Sequence, residues 1–431
     1  MKLILGYGRS GQAVANVLSK KGESCYVSDI AERKDQILYP NVHYIWGEHP
    51  LWLLEKVDEI VVSPSVQMES EIIVKAREKN IKIVSELEWA MEQIDGLKFG
   101  ITGTNGKSTT TALISHIFNF NNIKTASAGN IGLPLSSFIL KERFQAYSIE
   151  ISSFQLETME KKLLDGAIVL NITEDHLDRH KDFETYKNIK KKIFSLLKNK
   201  AKGFAPESLF EDLNLLRYGY TKECDLIINQ DFMIYENEVV LKRDEFPLLG
   251  EHNWENAAGA TLLSLKFGID KNKIKKAIET FKPLEHRMEI VDIIMGITFI
   301  NDSKGTNVAS VLKALTGMPK GKTILILGGK DKGNNFLPLK EKIKNTCKTV
   351  YCIGSAKEKI FNTLKDLNIQ IYQVEGLEDV FSSLDFALEE GCFVLLSPAC
   401  ASFDQYKNFE ERGRHFKELV KKWKEKRNQT H

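Results

Sequence analysis

Long apolar runs are missing from this sequence. No stretch approaches the ~20 apolar residues that a membrane-spanning helix needs, so a soluble chain is expected. The opening residues MKLILGYG pass straight into an apolar run and a glycine turn, without the basic region and cleavage site of a secretory leader. Charge of one sign is missing too: 60 basic against 58 acidic residues leave a net charge of +2, which offers a nucleic acid no broad field to bind. The basic cluster KNIKKKIF (187–194) is local and reads first as one solvated helix face. Paired cysteines are also absent. Cys25, Cys224, Cys347, Cys352, Cys392 and Cys400 are scattered without CxxC spacing or an attendant histidine cluster, as suits buried free thiols in a reducing, cytoplasmic compartment. No repeat of fixed period occurs, and the charged tail KKWKEKRNQTH is the one biased stretch, expected to be frayed or a helical surface.

At 431 residues the chain is too long for one ordinary core and suits two or three domains. In residues 1–92, KLILGYG and CYVSD read as strands around the helical spacing of SGQAVANVLSKKG, and DEIVVSPS and KIVSE follow as strands. A second segment opens with the strand LKFGITG. The helix KSTTTALISHIFNFNN and the strands AYSIEIS and DGAIVLN continue it, and it runs through less regular text (200–250) to about residue 284. The third segment starts near LEHRMEIV and carries the strands GITFIND, KTILILGG, TVYCIG and CFVLLSP. All three read as parallel α/β units, with boundaries expected at 1–92, 93–284 and 285–431.

GITGTNGKSTT (100–110) joins a strand to a helix. The common phosphate loop has GxxxxGK[ST] spacing, but five residues before Gly106 stands Ile101. The ingredients are nevertheless present in Gly103-Thr104-Asn105-Gly106-Lys107-Ser108. Glycines allow close approach and positive φ. The helix that follows offers unpaired N–H groups to phosphates. Lys107 adds a point charge, and the hydroxyl of Ser108 or Thr109 suits Mg2+. Two further stretches gather polar groups at strand ends, where ligands bind in open α/β sheets. SIEISSFQLE (148–157) puts Glu150 there, as a metal ligand or equally as a structural ion-pair partner. NITEDHLDRH (171–180) offers His176, as a metal or anion ligand or as an exposed loop histidine. Tyr186 to Lys190 falls on a predicted helix. In the first segment Gly6-Tyr7-Gly8-Arg9-Ser10-Gly11 follows a strand as GxGxxG and Asp29 closes the next strand, by itself a weak dinucleotide fingerprint.

These residues resemble the Mur ligases, the ATP-dependent amino-acid ligases of peptidoglycan synthesis. That family uses the shorter loop GTxGK[ST], which residues 103–108 match, and the likeness runs through the whole chain. GNIGLP (129–134), EISSFQLE (150–157), NDSKGTN (301–307) and SPACASFDQYKNFEERG (397–413) point to the D-glutamate-adding branch. The resemblance implies an α/β chain of three domains: a Rossmann-like N-terminal domain for the UDP substrate, a central P-loop-type ATPase domain, and a C-terminal Rossmann-like domain that closes over ATP and takes the amino acid. It implies ATP-dependent addition of D-glutamate to UDP-N-acetylmuramoyl-L-alanine through an acyl phosphate. Two Mg2+ ions, a cytoplasmic location and a monomer without nucleic-acid or membrane partners go with it.

Residue roles follow from the resemblance. Gly103, Thr104, Asn105, Gly106, Lys107, Ser108 and Thr109 hold the ATP phosphates; Ser108 and Glu150 ligate one Mg2+, and His176 ligates or neighbours a second. Lys190, placed by YxxxK spacing from Tyr186, matches the lysine that family members carry as a carbamate. A carbamate needs a neutral amine and so a pKa well below the usual ~10.4; Lys191 and Lys192 are the cations expected to help lower it. Without the resemblance, Lys190 is an ordinary lysine on a basic helix face. Asn253 and Asn256 lie near adenine or else cap a helix, and Arg287, Asp302 and Lys304 contact ATP or else form inter-domain salt bridges. Lys332, Ser402 and Phe409 serve D-glutamate, with Lys330 a rival to Lys332. Gly8, Ser10, Gly11, Asp29, Ser63, Asn130 and His176 serve the UDP substrate. One departure is Ser65 in SPSV, where family members often carry glycine, which weakens the carry-over to that loop.

Other classes stay open at this point. A nicotinamide-dependent oxidoreductase accounts for GxGxxG and Asp29 but leaves GTNGKS idle. A non-catalytic nucleotide-binding protein accounts for the loop but not for the cluster of Glu150, His176 and Lys190. Related ligases, such as folylpolyglutamate synthase or the L-alanine- or diaminopimelate-adding Mur enzymes, share the architecture. The DNPR motif of the diaminopimelate enzyme is absent, and the GxGxxG segment argues against folylpolyglutamate synthase.

Overall fold

A computed structural model describes residues 1–31, 37–175, 180–248, 250–331 and 333–428. The chain forms two compact units, one of residues 1–246 with 254–281, the other of residues 247–253 with 282–431.

The first unit carries two sheets. In the first, β1 (Lys2–Leu5), β2 (Cys25–Asp29), β3 (Val42–Trp46), β4 (Glu59–Val62) and β5 (Lys82–Ser85) run parallel in the order β3-β2-β1-β4-β5. Helix α1 (Arg9–Lys20) turns Gly11, Val14, Ala15, Val17 and Leu18 inward, the spacing of one helical face. α2 (Glu71–Glu78) and α3 (Glu86–Met91) follow, and the Ser85 hydroxyl caps α3 by accepting from Glu88 N. The sequence reading omitted β3, an edge strand whose residues are all half-buried or exposed, so that no continuous apolar run marks it.

The second sheet is built from β6 (Leu97–Thr102), β7 (Thr125–Gly129), β8 (Ala146–Glu150), β9 (Leu164–Val169), β10 (Leu197–Pro206), β11 (Leu216–Gly219), β12 (Leu226–Ile228), β13 (Phe232–Tyr235) and β14 (Glu238–Lys242). Their order is β14-β13-β12-β11-β10-β9-β6-β8-β7. β6 lies between β8 and β9, parallel to both, so its carboxyl end opens among theirs. The last three strands depart from the expected parallel pattern. β12 to β14 form an antiparallel meander, and Glu236 and Asn237, at φ 50° and 63°, make a two-residue turn between β13 and β14. Helices α4 (Lys107–Phe120), α5 (Ser153–Thr158), α6 (Phe183–Lys191), α7 (Glu251–Lys266) and α8 (Lys271–Glu279) complete this part of the chain. Leu87, Trp89 and Met91 from α3 share one apolar cluster with Leu135, Phe138, Tyr147 and Ile149, which is why both sheets belong to one unit.

The second unit has one sheet of β15 (Glu289–Ile294), β16 (Ile297–Asn301), β17 (Thr323–Gly328), β18 (Cys347–Ile353), β19 (Gln370–Gln373) and β20 (Phe393–Leu396), in the order β15-β16-β20-β17-β18-β19. All pairs are parallel except the β15–β16 hairpin. Helices α9 (Val308–Thr316), α10 (Leu339–Thr346), α11 (Lys357–Leu364), α12 (Leu377–Ser383) and α13 (Phe409–Asn428) accompany it. Residues 421–428 of the charged tail are thus helical as the end of α13, and Phe416, Leu419, Val420 and Trp423 anchor that helix in the core. All six cysteines are free and buried, as expected. Among the described residues no helix is long and apolar enough to cross a membrane.

A Cβ added at Gly11 would lie 2.1 Å from the Gly6 carbonyl oxygen, while one added at Gly8 meets nothing within 4 Å. Gly11→Ala is therefore expected to destabilise the fold by about 1–3 kcal/mol, and Gly8→Ala by no more than about 0.5 kcal/mol. Chemical denaturation midpoints of the two variants check this.

Candidate active site

The strand β6 ends at Thr102 and the chain turns through Gly103, at φ 152°, into the loop. The loop is zipped to the end of β9. Thr104 N bonds to Asn171 O at 2.9 Å, Asn105 N to Asn171 Oδ1 at 2.9 Å, and Asn171 Nδ2 returns a bond to Asn105 O at 3.0 Å. The Thr104 hydroxyl donates to Thr173 O at 3.1 Å and accepts from Thr173 N at 3.0 Å. Gly106, at φ 85°, stands at the N-cap of α4, where L side chains are strained. A Cβ there would also lie 2.3 Å from Asn256 Oδ1. Asn256 is buried in the second turn of α7, so it serves the loop rather than a helix cap. Asn253 is the third residue of α7, with its N–H on Gly250 O at 3.2 Å. Asn105 Nδ2 is buried and has no partner among the described residues, a donor suited to a phosphate oxygen.

Two lysines meet at this loop. Lys107 Nζ donates to Gly103 O and Thr104 O, each at 2.8 Å. Lys190 Nζ reaches the same Gly103 O at 2.9 Å and Thr102 Oγ1 at 3.4 Å, and stands 4.6 Å from the centre of the Tyr186 ring. Lys190 is only 1% exposed, which overturns the surface-lysine reading. Burial, and next the Lys107 charge, hold its pKa well below the ordinary lysine range, while Asp175 and Glu150 pull the other way. The expected helpers are corrected: Lys191 pairs with Asp212 at 2.5 Å and Lys192 donates to Glu157 O at 2.9 Å.

Glu150, the last residue of β8, is buried. Its Oε2 accepts from Ser108 Oγ at 2.5 Å and its Oε1 from Asn130 Nδ2 at 3.0 Å. An adjacent carboxylate and hydroxyl form a hard oxygen pair, which fits Mg2+. Asn130, expected at the UDP substrate, thus also orients Glu150. Thr109 is buried in the first turn of α4. His176 lies outside the described residues. His180, which sequence reasoning passed over, is buried with Nε2 2.9 Å from Ser153 Oγ and Nδ1 3.3 Å from Glu157. Its ring lies between Phe154 and Tyr186, with centroids 5.3 Å from each, and so ties α5 to the helix that presents Lys190.

At the glycine turn of the first sheet, Ser63 Oγ donates to Gly6 O at 2.8 Å. Asp29 accepts from Tyr7 N at 2.7 Å and Ala31 N at 2.9 Å. Gly8 caps α1 without obstruction, Ser10 is half-buried in its first turn, and Gly11 packs on Gly6. Gly8, Ser10, Gly11, Asp29 and Ser63 therefore converge, with Asp29 and Ser63 bracing the turn.

In the second unit Asp302 follows β16. Its carboxylate accepts from Ser397 Oγ at 2.7 Å and Met288 N at 3.3 Å. Burial raises its pKa to about 6, against the lowering effects of Ser397 and Arg287. The Lys304 ammonium stands 4.0 Å above the Phe409 ring. Arg412, unmarked among 60 Lys and Arg residues in the sequence, is buried and donates to Ser303 Oγ at 3.0 Å, Ser303 O at 2.9 Å, Cys400 O at 3.1 Å and Ala401 O at 3.4 Å. The segment of Asp302 and Lys304 is thereby bound to that of Ser402, and Ser303 Oγ donates to Phe409 O at 2.8 Å. Ser402 is buried. Lys332 lies outside the described residues; its rival Lys330 is exposed and bonds through its N–H to Ala401 O at 2.8 Å. Glu285, His286 and Glu289 cluster closely, but Lys417 already supplies a cation to both glutamates, at 3.0 and 2.6 Å.

The family models that match are the Mur ligase MurD-like N-terminal domain at residues 1–85, the Mur ligase middle domain at 101–264 and the Mur ligase glutamate ligase domain at 286–400. A protein of Koribacter versatilis named UDP-N-acetylmuramoylalanine--D-glutamate ligase is 37% identical over 446 residues, 98% of this chain and 97% of its own. The chain belongs to the Mur ligase family. A protein of the same name from Bacteroides fragilis is 35% identical over 97% of this Mur ligase and 99% of its own length. Among solved structures, Thermotoga maritima MurC superposes with a TM-score of 0.65 at 19% identity, covering 98% of this chain and 99% of its own. MurF ligase of the same organism, in complex with ADP, gives 0.65 at 15%, covering 99% and 95%. The three-domain α/β fold of the Mur ligases is therefore present here, and the enzyme is a ligase rather than an oxidoreductase.

A carboxyl whose folded pKa is raised favours the fold when protonated. The Asp302 contribution is full below pH 3.8 and lost as pH rises through about 6. Asp302→Asn is expected to flatten the pH dependence of stability in that window, measured by denaturation at several pH values.

Proposed function

We propose that this Mur ligase joins D-glutamate to the L-alanine carboxylate of UDP-N-acetylmuramoyl-L-alanine, converting ATP to ADP and phosphate. The observation that carries the chemistry is the convergence of Lys107, Lys190 and the Ser108–Glu150 pair on one phosphate loop. The choice of amino acid and acceptor rests on the names of relatives at 35–37% identity over nearly the whole chain. The reading carries with it a monomeric cytoplasmic enzyme with domain boundaries near residues 92 and 284.

The substrate carboxylate attacks the γ-phosphorus, the bond to the β-phosphate oxygen breaks, and ADP leaves. The neutral amine of D-glutamate then adds to the acyl phosphate carbonyl, and the tetrahedral intermediate expels phosphate as the amine loses its proton. The chain's task is positioning and charge neutralisation. The N–H groups of Gly106 and of the start of α4 hold the phosphates, those of Thr104 and Asn105 being bonded to Asn171, and Lys107 supplies a cation. Ser108 and Glu150, with His176 for a second ion, hold Mg2+, which neutralises phosphate charge when bound. The depressed pKa of Lys190 supplies a neutral amine that combines with carbon dioxide, releases a proton and becomes a carbamate anion on the same site. Asn253 and Asn256 are the amides on the adenine side, and Arg287, Asp302 and Lys304 the ATP contacts from the second unit. Gly8, Ser10, Gly11, Asp29, Ser63, Asn130 and His176 serve the UDP substrate, and Lys332, Ser402 and Phe409 serve D-glutamate.

Phosphate release from ATP, with Mg2+ and UDP-N-acetylmuramoyl-L-alanine present, is expected only on adding D-glutamate. Turnover with L-glutamate, L-alanine or diaminopimelate instead would overturn the amino-acid assignment. Lys190→Ala is expected to lower kcat by about 100-fold or more. Ser402→Ala is expected to raise the KM for D-glutamate about 5- to 10-fold, with the KM for ATP unchanged.

A further inference from the structure

The residue inside the glycine turn is a tyrosine, and the UDP-binding reading leaves its side chain unused. Tyr7 is wholly buried. Its backbone N–H is fixed on Asp29 Oδ2 at 2.7 Å, and the other Asp29 oxygen takes Ala31 N at 2.9 Å, on the outgoing limb of the β2–β3 connection. Its phenol points to the returning limb and donates to Ile37 O at 2.6 Å. The Tyr44 hydroxyl, 3.3 Å from that of Tyr7, accepts from Tyr39 N at 2.7 Å on the same limb. Tyr44 and Trp46 stack at 5.4 Å, and both pack against the Tyr7 ring at 5.4 and 5.6 Å. Two buried side chains therefore tie the glycine turn to the connection, Asp29 to the outgoing limb and Tyr7 to the returning one.

The limb it secures is unusual. Ile37 and Leu38 are 63% and 61% exposed, two apolar side chains in water on the limb that Tyr7 ties to the glycine turn at the carboxyl end of β1. Ligands of open α/β sheets bind at that end. Backbone pinned by one buried and one half-buried phenol while its apolar side chains stay in solvent is a wall prepared for a flat, weakly polar surface, and a nucleobase offers one.

We propose that Tyr7 and Tyr44 are positioning residues that hold Ile37–Tyr39 as a preformed wall for the base of the uridine nucleotide. This rests on the assignment of the first sheet to the UDP substrate. The wall acts on base binding alone: it touches neither ATP, nor D-glutamate, nor the acyl carbon.

The test uses full-length enzyme, with UDP itself as the calorimetric probe and steady-state kinetics beside it. Tyr7→Phe and Tyr44→Phe remove the bonds to the limb and keep the rings; the paired change Ile37→Ser and Leu38→Ser removes the apolar surface at exposed positions, where folding is little affected. Each is expected to weaken UDP about 3- to 10-fold, the worth of one buried hydrogen bond or a modest apolar contact. The KM for the UDP substrate should rise by the same factor while kcat and the KM values for ATP and D-glutamate hold. Unchanged UDP affinity in the paired serine variant, or kcat and all three KM values moving together in the phenylalanine variants, overturns the wall. A wild-type enzyme that turns over yet shows no UDP affinity overturns the assignment of the first sheet as well, and so separates the two failures.

Discussion

One carbonyl oxygen organises the catalytic end of this molecule. Gly103 O accepts from Lys107 at 2.8 Å and from Lys190 at 2.9 Å, which uses both of its lone pairs. Two amines drawn to one atom repel each other, and burial first, then the Lys107 charge, hold the pKa of the more deeply buried one, Lys190, well below the ordinary lysine range. The short form of the loop makes this geometry. It lacks the early glycine of the common phosphate loop and puts Gly103 directly at the end of β6, between the ends of β8 and β9. Glu150 and Asn171, at the ends of the two flanking strands, then need to reach across only one strand spacing, while Lys190 comes in from α6.

Elements that bury an unbroken apolar run were legible. KLIL, CYVSD, LKFGIT, TILILG and FVLL are strands much as read. Those missed are β3, β7 with its sequence TASAG, β15 and β19, which are short, at edges or built of small residues, and β10 to β14, which fall in text that reads as less regular. Their fit to a sheet depends on neighbours that sequence text does not show. The turns at Glu236-Asn237 and Met295-Gly296 have positive φ at both positions, but only the second of them contains glycine.

In the site, residues carried by a motif were legible and residues that act through space were not. Lys190 and Glu150 stand out by their motifs, but adjacency along the chain points to the wrong cations for Lys190. Lys191 and Lys192 are its neighbours along the chain, yet consecutive helix positions point apart. Lys107, on another helix, is the one that faces it. Arg412, His180 and Asn171 escaped for the same reason. Each is a polar residue whose meaning lies in burial and in partners distant along the chain.

The contact between Gly106 and Asn256 reaches beyond geometry. A side chain at 106 needs the space that the amide at 256 fills, and the left-handed backbone there admits little but glycine. A smaller residue at 256 would open a void without easing that strain. Position 106 is therefore held twice, by its own left-handed backbone and by the amide that fills the space beside it, and releasing either hold leaves the other in force.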